Sequence, residues 1–125
     1  MKQHIQEALL QMSKKMAIPE FVINSNGIIC LQIGSSGDLF IDIQDDMAYL
    51  YLLNTFDNVD FNLLTTALSF CQDNEDYNLL ATPVLKDDNY LGFAIAIPSE
   101  NITIISIEEA INQLTELSSR LQQFA

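Results

Sequence analysis

A chain of 125 residues, 49% of them hydrophobic, can bury roughly two thirds of the surface its unfolded form exposes, without help from a metal or a disulfide. Seventeen Asp and Glu stand against five Lys and Arg, a formal charge of −12, and such a field repels phosphate backbones and anionic membranes, which argues against nucleic acid and membrane surfaces as partners. The apolar content also excludes a disordered acidic tail, which has too little apolar surface to offset chain entropy.

Residues 3 to 16 set Ile5, Ala8, Leu9, Met12 and Met16 at helical spacing, with Gln6, Gln11 and Lys14 turned away, the pattern of a one-sided amphipathic helix. Polar residues interrupt this N-terminal stretch, so it has no signal-peptide core and cytosolic synthesis is expected. Pro19 ends the helix. "EFVINSNGIICLQIG" then reads as an extended segment, a turn at Ser25-Asn26-Gly27 and a strand through Ile33, because Asn and Gly tolerate positive φ. "GSSGD" follows as a flexible connection.

Leu39, Ile41 and Ile43 alternate with Phe40, Asp42 and Gln44, which predicts a strand with one buried face. Asp45-Asp46 supplies a tight turn into a second strand from about Met47 to Leu53. Asp57 or Asp60 can cap a helix from about Phe61 to Cys71, whose Leu63, Leu64, Ala67, Leu68 and Phe70 cover more than one face and so call for burial on two sides. The acidic loop "QDNEDYN" leads to two more strands, "LLATPVLK" and "YLGFAIAI", joined by a hairpin turn at Asp87-Asp88-Asn89. Pro83 cannot donate a ladder hydrogen bond, which favours an edge position or a bulge. Ser106 with Glu109 is a capping-box signature, opening a last helix with Ile107, Ala110, Ile111, Leu114, Leu117 and Leu121 on one stripe. The order is α-β-β-β-α-β-β-α: an α+β fold with an antiparallel sheet of about five strands, helices on one face, and residues 1–125 as one domain.

Chemistry finds little purchase in these residues. The single histidine, His4, falls in the first turn of a terminal helix and reads as solvated, so catalytic triads and histidine metal sites lose their usual member. Phosphate-cradling glycine motifs are absent from the sequence. The carboxylate clusters at Asp45-Asp46, Asp73/Glu75/Asp76 and Asp87-Asp88 sit in turns, and "DNEDYNLL" lacks the glycine and closing glutamate of a calcium loop. Cys30 and Cys71 have no C-x-x-C spacing and read as small core residues. No enzyme, metal or cofactor is expected.

What stands out is apolar residues where a half-wet strand should be polar. If Leu39, Ile41 and Ile43 face the helices, Phe40 lies on the far face, with Ile28 and Cys30 beside it. Either Tyr49 with Tyr51 or Leu50 with Leu52 must point outward as well; tyrosine, with an apolar body and a polar tip, suits an interface better. Leu10, alone on the far side of the first helix, points the same way. One reading is that long loops or a sheet edge cover these residues. The other is two contact surfaces, a dimer face on the two-sided helix and an apolar strip for an extended ligand.

Taken together, "ALLQMSKKMAIPEF", "NGIICLQIG", "LFIDIQDDMAYLYLL", "LLTTALSFCQDN" and "YLGFAIAIP" followed by "SIEEAINQLTELSSRL" resemble the class I type III secretion chaperones, the Tir chaperone family. The resemblance spans nearly the whole chain, including size, acidity and element order, and it is strongest in the leucine-rich helix ending in Asn. It implies a homodimeric chaperone of the bacterial cytoplasm, without ATPase activity, that binds the extended N-terminal region of a secreted effector. It further implies an effector groove on the first helix and early strands, for which Leu10, Ile18, Phe21, Ile28, Phe40, Tyr49 and Tyr51 are candidates. The dimer face falls to Leu63, Leu64, Ala67, Leu68 and Phe70. A small dimeric scaffold or regulatory module that binds a folded partner is the alternative.

Overall fold

The computed structural model describes residues 22–23, 28–33, 37–44, 46–72 and 79–125. The expected N-terminal helix, the Ser25-Asn26-Gly27 turn, Asp45 and the acidic loop at 73–78 lie outside them. Among the described residues there are six strands: β1 (Val22–Ile23), β2 (Ile29–Ile33), β3 (Gly37–Gln44), β4 (Met47–Thr55), β5 (Ala81–Lys86) and β6 (Tyr90–Pro98). Helix α1 (Phe61–Gln72) separates β4 from β5, and a short 3₁₀ turn at Ser99–Asn101 leads into α2 (Ile104–Phe124).

The strands form one antiparallel sheet in the order β1-β2-β3-β4-β6-β5. The fold is α+β as expected, with one strand more than the five anticipated. The extra strand is the extended segment ahead of the first turn: only two residues long, it pairs Val22 with Cys30 and Ile23 with Ile29. Pro83 falls on β5, at the sheet edge, where its missing N–H costs least.

Alternation in the sequence becomes rows across the sheet. Leu39, Leu52 and Phe93 are successive partners, as are Ile41, Leu50, Ile95 and Ala81, and all seven are buried. Against these rows α2 lays the stripe Ile107, Ala110, Ile111, Leu114, Leu117 and Leu121, every member buried, at the spacing that keeps one helix face on a sheet. Each large aliphatic side chain removed from water in this layer is worth about 1.5–3 kcal/mol. α2 sits over β4 and β6, while α1 packs against β5 and α2.

Polar groups in this layer find partners. Asn54 Nδ2 donates to Ser118 Oγ, joining β4 to α2. The Gln113 amide imitates a strand neighbour: its Nε2 donates to the Leu79 carbonyl at 2.6 Å, and the Leu79 N–H donates to its Oε1 at 3.3 Å. Asp60 is the cap of α1, accepting from the Leu63 N–H at 2.8 Å. The capping box of α2 lies three residues earlier than Ser106/Glu109. Thr103 Oγ1 accepts from the Ser106 N–H at 3.0 Å and Ser106 Oγ from the Thr103 N–H at 2.8 Å; this reciprocal closure makes Thr103 the N-cap and brings Ile104 into the helix.

Candidate functional site

With the even-numbered residues of β4 turned to the helices, the pleat turns Tyr49 and Tyr51 to the opposite face. Phe40 pairs with Tyr51, Asp42 with Tyr49, and β6 places Ala94 and Ala96 beside the two tyrosines. All three aromatic residues are half-buried. The Tyr49 and Tyr51 rings stack with centroids 6.5 Å apart and planes 13° from parallel. Tyr90 meets Phe40 edge-on at 6.3 Å and reaches across the sheet to donate its hydroxyl proton to Asp38 Oδ2 at 2.6 Å.

Two phenols of this face, those of Tyr51 and Tyr90, are held in their neutral form. Burial raises the Tyr51 hydroxyl above the ordinary tyrosine range, with the Asp42 carboxylate and Tyr49 adding to the effect. Tyr90 is raised further, first by burial and then by its hydrogen bond to Asp38 and that carboxylate's charge. Asp42 is engaged by the Gln44 amide at 2.9 Å.

Between these residues lies a recess of about 280 Å³, lined by Ile28, Phe40, Tyr51, Leu53, Val84 and Leu85, with Lys86 at its rim. Its origin is visible in the register. Leu53, Gly92 and Val84 are successive partners across β4, β6 and β5, and the middle member has no side chain. Sequence reasoning missed Leu53, Val84, Leu85 and Lys86. The available signal was the run Gly92, Ala94, Ala96 at every second position of β6, which marks a face kept shallow. A larger open cleft of about 600 Å³ lies between the β4–α1 connection and the end of α2; Asp60, one of its two carboxylates, is already committed to capping α1.

The five helix residues assigned to a dimer face divide. Leu63 and Ala67 are corrected to core positions, 3% and 0% exposed within the single chain, because with Cys71 they recur every four residues and form the stripe that α1 buries. Leu64 and Phe70 are partly buried, Phe70 beneath the Arg120 guanidinium at 4.4 Å. Leu68 is 48% exposed and Phe61, absent from the expected set, 77%. Phe61, Leu64 and Leu68, three and then four residues apart, make an outward ridge beside the β5 edge, where Leu80 and Leu85 are also exposed. Leu10, Ile18 and Phe21 lie outside the described residues.

Cys71 is buried, its thiol pushed up to about 11 by burial, which holds it in the unreactive protonated form at neutral pH. Among the described residues no group of His, Cys, Asp and Glu could hold a metal ion, and no helix is long and apolar enough to cross a membrane.

No family model matches the sequence, and no curated protein matches it significantly. Solved structures do. The Yersinia pestis type III secretion chaperone SycH, in complex with a fragment of YscM2, aligns over 94% of this chain and 98% of its own at 14% identity, with a TM-score of 0.66. The HopA1-SchA chaperone-effector complex aligns over 95% and 94% at 17% identity and 0.67, and the ExsC-ExsE complex over 95% and 91% at 11% identity and 0.76. The fold is that of the class I type III secretion chaperones. Within the secretion-chaperone fold, the apolar face of β3 and β4 and the α1 ridge are two separate surfaces.

Proposed function

We propose that this protein is a type III secretion chaperone of the bacterial cytoplasm, a homodimer of a one-domain chain, that binds the extended N-terminal region of a secreted effector and keeps it secretion-competent without hydrolysing ATP. One observation carries the reading: in a fold shared with secretion chaperones, a chain of charge −12 presents Phe40, Tyr49, Tyr51 and an apolar recess on the sheet face opposite the helices. Binding there is coupled folding and binding, in which an unstructured segment gives up conformational entropy in return for buried apolar surface and main-chain hydrogen bonds.

The dimer is assigned to the ridge Phe61, Leu64 and Leu68 with Leu80 beside the β5 edge. Pro83 sits in the middle of that edge strand, so the subunits meet through side chains rather than through a continuous intersubunit sheet. The test is affinity capture from the native host with wild type and with Phe40→Asp and Tyr51→Asp, folding being checked by circular dichroism. The expected result is an unfolded effector segment that co-elutes with wild type and is lost with both folded variants. Capture of a folded partner, unaffected by either substitution, would establish the scaffold reading instead.

A further inference from the structure

The reading above says where an effector segment docks; the recess and its rim say which segment. The recess, of about 280 Å³, has room for a bulky side chain of a chain passing over the sheet. Its walls are apolar except for the Tyr51 hydroxyl, so the group that enters must be apolar too.

Lys86 gives the rim a sign. Of the five cationic residues, Lys2, Lys14 and Lys15 precede residue 16 and Arg120 lies on α2 above Phe70. Lys86 is therefore the cation of this face among the described residues, and no hydrogen bond or ion pair engages it there. Its neighbours set the limits of what it can attract. Asp38 is held by Tyr90 and Asp42 by Gln44, while Asp87 and Asp88, which follow Lys86 in the hairpin turn, oppose it. An acidic tract would be repelled by the molecule as a whole, whereas a single carboxylate delivered to Lys86 gains a partner at short range.

We infer that the recess selects a segment in which one bulky apolar residue has one Asp or Glu within two positions of it, the apolar side chain filling the recess and the carboxylate pairing with Lys86. The inference rests on the effector-binding reading.

The test is selection of 12-residue peptides displayed on phage against the immobilised full-length protein, in wild-type, Lys86→Gln and Lys86→Glu forms. Lys86 is exposed, so neither substitution disturbs the core. Wild type is expected to enrich Leu, Ile or Phe with a single acidic residue within two positions, and Lys86→Glu to exchange that acid for Lys or Arg. For a selected peptide, Asp→Asn and Lys86→Gln should each weaken binding about two- to fivefold, the range of rim ion pairs, and the two losses should not add. Apolar enrichment with acids at background frequency overturns the inference and leaves effector binding standing. No apolar enrichment at all removes both.

Discussion

Gly92→Ala is expected to damage the sheet at its centre. Gly92 pairs with Leu53 on β4 and Val84 on β5, and a Cβ there would lie 1.8 Å from the Leu52 carbonyl oxygen, 2.7 Å from its carbonyl carbon and 2.8 Å from Leu53 Cα. All three atoms belong to the backbone, so no side-chain rotation relieves the overlap. β4 must retreat from β6 by roughly 1.5 Å to regain ordinary contact, far enough to break the adjacent ladder bonds. Overpacking costs about 1–3 kcal/mol and each lost hydrogen bond about 1 kcal/mol, which predicts a loss of about 2–4 kcal/mol. Urea unfolding followed by far-UV circular dichroism, at one protein concentration because the proposed dimer would gain stability with concentration, should show a lower midpoint with an unchanged slope. A loss under about 1 kcal/mol would mean that the two strands can part freely here, and would refute this account of why glycine occupies the position.

Leu68→Glu should convert a dimer to a monomer in sedimentation velocity at tens of micromolar while the circular dichroism spectrum is unchanged, since Leu68 is exposed in the single chain; a monomeric wild type would remove the proposed interface. Stability should also fall at alkaline pH through Cys71. Its folded thiol is raised to about 11 from an ordinary value of 9.0, so its contribution is complete below pH 9, where both states hold the proton, and declines as pH rises from 9 to 11, by up to about 1.4 kcal/mol per unit. Cys71→Ala should flatten that decline relative to wild type; parallel curves would count against it.

The elements visible in the sequence were those whose pattern is local. Period-two alternation over residues 39–44 reappears with Leu39 and Ile41 buried and Ile43 partly buried against them, and every member of the α2 stripe is buried. What the pattern left open was decided by position within the sheet. "AYLYLL" is apolar at every position, and only its pairing with Leu39 and Ile41 on one side and Phe93 and Ile95 on the other settles that Leu50 and Leu52 are core and the tyrosines are not. Helix α1 misled for the same reason: a helix apolar on two sides does not say which side is taken. The ladder of Leu63, Ala67 and Cys71 is buried because β5 and α2 lie against it. The recess belongs to no single segment, since Leu53, Gly92 and Val84 meet only through the crossover that places β6 between β4 and β5.

The sheet face turned from α1 and α2 carries half-buried aromatic rings, and the way it is furnished argues for use rather than accident. Its rings are held in place before any partner arrives: Tyr49 against Tyr51, and Phe40 against a Tyr90 that is itself fixed to Asp38. Rigid rings with two side-chain torsions lose little entropy when covered, so the surface is preorganised and the cost of ordering falls mainly on the incoming segment. The polar tips of the tyrosines and the carboxylates of Asp38 and Asp42 keep this face hydrated.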